Sequence, residues 1–430
     1  MSDIYSELSW RGLINQVTDE EHLPKWLNEG SRTAYVGFDP TADGLHLGSL
    51  LPLLYLRRFQ KAGHKPIALV GGATGMIGDP SGKSKERNLL SVDQLQANVE
   101  GMRRQMERFL DFDCGANSAV LVNNFDWMQK FSYLDFLRDI GKNFPVNVML
   151  AKDSVKGRLE RTDSGLSYTE FSYMLLQAFD FVHLNREFGC ELQIGGSDQW
   201  GNITAGIDLG RRMHSVQLYG ITCPLLTKSD GAKMGKTETG TVWLSPDRTS
   251  PYEFYQYLFR VADEDAGMCL RFLTELTEPE IAELDKSREE SPQNRDSQRR
   301  LAEELTRLVH GDEGLATAQR ATEIFFGAEI SDLNDSQLAS IFADVPSNEL
   351  PRSELSGEGL PIMDAFVAAG LSKSKGEARR TITQGGAYIN NRREKEIDMR
   401  LVESHLASET TMVLRSGKRN YALLRFVAEA

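Results

Sequence analysis

Three stretches of this sequence carry side chains suited to phosphate chemistry, and none is accompanied by a convincing Ser-His-Asp or Cys-His set. The first is AYVGFDPTADGLHLGSL, residues 34–50. Small and apolar residues of strand type break at Asp39-Pro40 and restart at Gly48 as an amphipathic helix, LLPLLYLRRFQKAG. A strand that turns into a helix start presents unpaired backbone N–H groups with the positive end of the helix dipole behind them, which suits an anion such as phosphate. His46 and Ser49 lie on that turn and add directed donors. The same residues also describe an ordinary capped helix, with Asp39 and Thr41 as caps and His46 as a surface imidazole. The second stretch is GGATGMIGDPSGKSKER, residues 71–87, with a carboxylate at Asp79 and cations at Lys83 and Arg87. The third is TKSDGAKMGKTETG, residues 227–240, whose Lys233 and Lys236 follow the apolar run ITCPLL. Such a lysine pair is either a solvated surface feature or, placed after a buried strand, a phosphate contact.

Familiar nucleotide motifs do not fit these loops. Gly72, Gly75 and Gly78 recur at spacing three rather than as G-x-G-x-x-G. Gly78 to Gly82-Lys83-Ser84, and Gly231 to Gly235-Lys236-Thr237, are each one residue short of a P-loop.

Two further stretches offer amides and carboxylates. In YTEFSYMLLQAFDFVHL, residues 168–184, Tyr173, Gln177 and Asp180 fall at i, i+4 and i+7 and share one helical face among apolar neighbours. This is either a polar outer face or a buried polar stripe, and burial would require each group to be hydrogen-bonded. In CELQIGGSDQWGNITAG, residues 190–206, a strand ends in glycines that admit a nucleoside, Asp198 is placed to accept from ribose hydroxyls, and Gln193 and Gln199 flank it. Asp198 equally reads as a helix cap.

The elements that must position these residues are legible. KPIALVGG, residues 65–72, is a continuous apolar run of the kind expected for a parallel strand buried on both faces. Strand, helix and strand in succession predict a doubly wound α/β domain, whose ligands sit beyond the carboxyl ends of the strands. Helices are expected at 91–113 and 133–142, and a strand at 118–122.

The whole chain sets bounds. Its 430 residues suggest two or three domains. A formal charge of −13 argues against coating nucleic acid by bulk charge. Residues 361–430 nevertheless carry 12 Lys and Arg against 8 Asp and Glu, so a polyanion contact is expected at that end. Cys114, Cys190, Cys223 and Cys269 are scattered, without metal-site spacing, and read as reduced thiols. No signal peptide or membrane-length apolar run is visible, so a cytoplasmic protein without a membrane contact is expected.

HLGS at 46–49 with KMGKT at 233–237 resembles the paired ATP motifs of class I aminoacyl-tRNA synthetases. Together with YVGFDPTADGLHLG, GDPSGKS, YMLLQAFD and QIGGSDQWGNITAG, the chain resembles the bacterial tyrosyl-tRNA synthetase family over nearly its full length. That resemblance implies a Rossmann-like catalytic domain at 1–246 and a helical anticodon-side domain at 247–344. A linker at 345–358, rich in Pro, Ser, Glu and Gly, and an α+β S4-like RNA-binding domain at 359–430 would follow. It implies L-tyrosine, ATP with Mg²⁺, and tRNA(Tyr) as partners, no tightly held protein metal, and a homodimer.

By the same correspondence His46, Lys83, Arg87, Lys233, Lys236 and Thr237 would stabilise the triphosphate as pyrophosphate leaves. Tyr35 and Asp180 would take the phenol hydroxyl; Asp79, Tyr173 and Gln177 the ammonium group, with Gln193 also on tyrosine. ATP would further meet Gly37, Asp39, Thr41, Gly48, Ser49, Gly196, Asp198, Gln199 and Met234. Lys373, Lys375, Arg379, Arg380, Arg392 and Arg393 would face RNA, or else form a solvated basic face. The family's first motif usually ends in histidine, and Ser49 stands there instead. The alternatives are a tryptophanyl-tRNA synthetase, which shares the architecture, and a non-catalytic RNA-binding protein on the same frame.

Overall fold

The computed structural model describes residues 3–40, 42–81, 91–152, 155, 156, 159, 166–237, 240–331, 333–342 and 345–428. The chain divides into two compact units, Met1–Thr249 with Leu258–Leu305, and Ser250–Tyr257 with Thr306–Ala430.

The first unit is built on a six-stranded sheet. Its strands are β1 Gln16–Val17, β2 Thr33–Phe38, β3 Lys65–Val70, β4 Val120–Asn123, β5 Leu192–Gly196 and β6 Tyr219–Cys223. They lie in the order β1-β6-β5-β2-β3-β4. β2, β3, β4, β5 and β6 run parallel, and short β1 pairs antiparallel with β6. From β2 the chain moves outward through β3 and β4, then returns to the other side of β2 as β5. The strand order therefore reverses between β2 and β5, where a doubly wound sheet opens a crevice at its carboxyl edge. The register sets Tyr35 of β2 directly beside Gln193 of β5, so both project to one face.

The helix Leu47–Lys61 follows β2 and buries Leu50, Leu51, Leu54, Leu56 and Phe59. The helix Tyr168–Phe188 starts at Ser167, whose side chain accepts from the Glu170 N–H, and stops at Gly189 with φ 63°. That left-handed turn is open to glycine at little cost. Asp180 is 1% exposed and Tyr173 4%, so the polar stripe is buried rather than an outer face.

The stretch expected as a helical domain, 247–344, is shared between the two units, with Leu258–Leu305 in the first. The helices Asp263–Leu273 and Glu278–Glu290 belong to the first unit. Buried Arg11 donates to the carbonyls of Arg271, Thr274 and Leu276, and Arg58 to those of Phe272 and Thr274. Two guanidinium groups thus meet the carbonyl end of one helix, where positive charge is favoured.

Two short ribbons pair β7 Lys236–Thr237 with β8 Gly240–Thr241 and β10 Leu360–Pro361 with β13 Arg400–Leu401. The second unit also contains β9 Ser347–Pro351, β11 Ala387–Ile389, β12 Arg392–Glu394, β14 Thr411–Ser416 and β15 Asn420–Val427, which form a five-stranded sheet in the order β12-β11-β14-β15-β9. The 345–358 segment is therefore not a free linker. β9 pairs in parallel with β15, its partners running from Ser347–Leu423 to Pro351–Val427, and a proline at the strand's end is tolerated because an edge strand leaves one side unpaired. The helices Ile362–Ala368 and Lys375–Thr383 cover one face through Ile362, Phe366 and Ile382 against Leu414, Leu424 and Phe426. Ala321, Ile324, Leu338 and Phe342 pack with Val413, Tyr421 and Leu423, so residues 321–342 share a core with the C-terminal sheet.

Candidate active site

A cavity of about 260 Å³ opens at the carboxyl ends of β2 and β5. Tyr35, Gly37, Asp39, Asp79, Tyr173, Gln177, Asp180, Gln193, Gly196, Asp198, Gln199 and Lys233 all line it. Residues from five separate stretches of sequence thus meet in one place.

At its floor, Asp180 accepts from Asn124 Nδ2 at 2.9 Å and from Trp127 Nε1 at 2.8 Å, one bond to each oxygen. Burial pushes its carboxyl up to about 7, while these two donors act in the opposite direction. Tyr35 is 1% exposed, and its hydroxyl has no hydrogen-bond partner among the described residues. Burial, and the charge of Asp180, hold the Tyr35 hydroxyl well above the usual phenol range. Gln193 Oε1 is likewise buried without a partner among the described residues. Buried polar atoms are nearly always satisfied, so two orphans facing one cavity mark where a polar ligand group fits.

A chain of amides crosses the middle of the cavity. Gln177 donates to Gln199 Oε1 at 3.2 Å, and Gln199 Nε2 donates to Asp79 Oδ2 at 2.7 Å. Asp79 also accepts from the Ser81 N–H, and buried Asn202 donates to both Gln199 and Ser81. Tyr173 turns instead toward Asp39, its hydroxyl 3.4 and 3.5 Å from the two carboxylate oxygens, and Thr74 also donates to Asp39. Asp198 is raised above the ordinary carboxylate range by burial and by Asp79, with Lys233 opposing. The first unit thus places four acidic groups, Asp39, Asp79, Asp180 and Asp198, and a lysine around one space.

The phosphate-type residues gather alongside. His46 is the residue before the helix Leu47–Lys61, and its Nδ1 lies 3.4 Å from Ser49 Oγ. A side chain at Gly48 would meet the His46 ring at 2.9 Å, so glycine allows the imidazole to lie over the helix start. Desolvation, then Lys236 and Lys233, hold His46 below its ordinary pKa, so it is neutral near pH 7. Lys233 and Lys236 are exposed, and Lys236 with Thr237 forms strand β7, paired with β8 Gly240–Thr241. Met234 is buried, with its sulfur 3.4 Å from Cys269 Sγ. Thr41, Lys83 and Arg87 lie outside the described residues, as does the side chain of Thr237. Among the described residues no group of three or more His, Cys, Asp or Glu is arranged to hold a metal ion.

Sequence reading missed Asn124 and Trp127, which hold Asp180, and Asn202, Ser81 and Thr74 behind the other carboxylates. One signal was available. Asn124 directly follows β4, at the carboxyl edge where ligands of such sheets are met.

In the second unit, Lys373, Arg379 and Arg380 are exposed along or just before the helix Lys375–Thr383. Lys375 pairs with Asp364 and Arg392 with Glu329, and Arg393 donates to the Gly385 carbonyl.

A reversing parallel sheet with a helix-start histidine, a lysine loop and an acid-lined crevice defines a nucleotide-dependent class I synthetase unit. Residues 27–327 match the family described as class I tRNA synthetases (W and Y), and residues 337–424 match the tyrosine–tRNA ligase SYY-like C-terminal domain. The tyrosine–tRNA ligase of Rhodopirellula baltica is 60% identical over 99% of this chain and 96% of its own. That of Roseiflexus castenholzii is 52% identical over 99% of this chain and 100% of its own. The solved, C-terminally truncated mitochondrial tyrosyl-tRNA synthetase of Coccidioides posadasii superposes with a TM-score of 0.65 at 32% identity, covering 74% of this chain and 92% of that one. The chain belongs to the tyrosine–tRNA ligase family of class I aminoacyl-tRNA synthetases.

Proposed function

We propose that this chain carries out the tyrosine–tRNA ligase reaction with the residues gathered in the first unit. In the first step the tyrosine carboxylate attacks the α-phosphate of ATP, forming tyrosyl-adenylate and releasing pyrophosphate. In the second, a hydroxyl of the terminal tRNA ribose attacks the activated carbonyl and AMP leaves. Neither step needs an enzyme nucleophile, so rate enhancement rests on positioning and on stabilising charge as it develops.

The observation that carries the substrate assignment is the pairing of buried Asp180 with the unpartnered hydroxyl of Tyr35. Each Asp180 oxygen already accepts one N–H and retains a lone pair. A phenol can donate to Asp180 and accept from Tyr35 at once, which satisfies both sides. An indole N–H can donate but offers no lone pair to Tyr35, so tyrosine is favoured over tryptophan. Asp79, with Gln177 and Gln199 in its chain of amides, takes the ammonium group. Tyr173 joins it at the ammonium group, Asp39 lies toward the nucleoside, and Gly196 and Asp198 take the ribose.

His46, Lys233 and Lys236 stabilise the leaving pyrophosphate, with Lys83, Arg87 and Thr237 assigned there by family correspondence. A neutral imidazole at His46 donates a hydrogen bond without adding a third cation beside the two lysines. Mg²⁺ is expected to enter on the ATP phosphates and to neutralise part of their charge.

Homodimer formation is supported by an apolar surface on the first unit. Tyr133, Leu134, Val146, Val148, Leu150 and Tyr168 are 41–75% exposed on neighbouring stretches of chain, and Val148 also lines an adjacent hollow of about 230 Å³ with Phe144 and Met149. Exposed apolar groups so concentrated mark a protein contact. A cytoplasmic site of action follows from the family resemblance; among the described residues no helix is long and apolar enough to cross a membrane.

Equilibrium binding without ATP tests the substrate assignment. Tyrosine should bind and phenylalanine should bind far more weakly; equal affinity for the two would reject the Tyr35–Asp180 assignment.

A further inference from the structure

We infer that Trp243 is a positioning residue for adenylate formation, holding His46 and the lysine loop in one arrangement. This rests on the placement of ATP at His46 and the two lysines proposed above. Trp243 does not line the substrate cavity, and its role comes from what it ties together.

The backbone ties come first. His46 and Trp243 form an isolated antiparallel bridge. On either side of it the Leu47 N–H donates to the Val242 carbonyl at 3.0 Å, and the Leu244 N–H to the Leu45 carbonyl at 2.9 Å. The Val242 N–H in turn donates to the Gly235 carbonyl at 2.8 Å, inside the lysine loop. Gly235 has φ 84°, and a side chain there would lie 3.0 Å from Leu47 Cβ, so the loop is pressed onto the helix start. One three-residue stretch, 242–244, therefore bonds to both phosphate motifs.

The side chains close the same circuit. The Trp243 ring meets the His46 ring edge-on, 6.2 Å between centroids at 67°. The Arg248 guanidinium lies 3.4 Å over the Trp243 ring, a cation–π contact, and pairs with Asp43 on the turn leading to His46. The backbone N–H of Trp243 donates to Thr249 Oγ1 at 3.0 Å, which fixes the segment that carries the ring. An imidazole at the edge of the unit would otherwise be free to choose among rotamers. Here the indole limits its choice, and the indole, on a backbone held by the bridge to His46, cannot move without releasing Arg248.

If Trp243 acts through His46, its removal should matter only while His46 is present. The test is a double-mutant cycle in ATP–pyrophosphate exchange with tyrosine and Mg²⁺: wild type, Trp243→Ala, His46→Ala and the double variant. Trp243→Ala should lower kcat by roughly 10- to 100-fold, less than the roughly 10²- to 10³-fold lost when a transition-state donor is itself removed, because the imidazole stays in place. The KM for tyrosine should stay within about twofold, because the amino-acid end of the cavity is untouched. On the His46→Ala background the same change should cost less than about threefold. Trp243→Phe should restore most of the rate, since a ring at that place keeps the cation–π contact. An equal loss on both backgrounds, or no loss from Trp243→Ala while His46→Ala is impaired, would overturn the inference. No loss from His46→Ala would instead overturn the ATP-site reading beneath it. If Trp243→Ala does not fold, Arg248→Met in the same cycle decides: a smaller, His46-dependent fall in kcat supports the circuit, and an unchanged or His46-independent rate refutes it.

Discussion

Replacing Asp180 by Asn is the sharpest perturbation of the amino-acid site. The substitution keeps the shape and one acceptor oxygen but removes the charge. Because Trp127 and Asn124 each donate to a different oxygen, an amide NH₂ must face one of these donors whichever way it turns. The tyrosine hydroxyl then loses an ionised acceptor, and hydrogen bonds to charged groups contribute about 1.5–3 kcal/mol. At 1.4 kcal/mol per tenfold, kcat/KM for tyrosine should fall roughly 10- to 150-fold. Phenylalanine makes no such bond, so its kcat/KM should change little. ATP–pyrophosphate exchange with each amino acid at pH 8, where the wild-type carboxyl is mostly ionised, reads the ratio directly. An unchanged Tyr/Phe ratio would refute the assignment of Asp180 to the phenol.

The same carboxyl makes a signed prediction about stability. Its folded pKa of about 7 lies above the unfolded value, so its contribution is fully present below about pH 4 and is lost as pH rises through 7. Relative to Asp180→Asn, the wild type should lose stability across that window, by at most on the order of 4 kcal/mol; parallel pH profiles in urea unfolding would contradict this. Trp127→Phe removes a donor that lowers the Asp180 pKa, so the acidic limb of the tyrosine kcat/KM profile should move to higher pH, and an unmoved limb would rule out that coupling. Arg379→Ala with Arg380→Ala should raise the KM for tRNA in charging assays while leaving pyrophosphate exchange intact, and equal loss of both activities would count against RNA contact at that helix. Removal of residues 346–430 should spare adenylate formation and impair charging, but it also bares Ile324, Leu338 and Phe342, so light scattering should show more aggregation than for the full chain.

The fold of the first unit was legible because its signals are local. Unbroken apolar runs mark β2 and β3, and the Tyr173–Gln177–Asp180 spacing marks one helical face. Motif residues at strand ends could be assigned to one site because a doubly wound sheet collects its carboxyl edges. Of the side chains that hold Asp180, only Asn124 left a signal, its place just after β4; both it and Trp127 lie in a stretch with no motif and meet Asp180 only through the tertiary fold. The spacing puts Tyr173 on the buried face of its helix, but the contact of its hydroxyl with Asp39 is set by packing and is not legible in that spacing. The 345–358 segment has the composition of a linker, but its Ser347–Pro351 part becomes an edge strand, because β15 offers an open backbone ladder that composition does not reveal. The attachment of the helix Asp263–Leu273 was hidden for a similar reason: Arg11 and Arg58 reach more than 200 residues along the chain to bind the carbonyls near 271–276.

The most direct test of the central claim is ATP–pyrophosphate exchange without tRNA, run against each of the twenty amino acids with Mg²⁺ present. Exchange with tyrosine alone is the expected result, and it would establish that the cavity of Tyr35 and Asp180 activates tyrosine with Ser49 in the first motif. Exchange with tryptophan, or with no amino acid from folded protein, would contradict it.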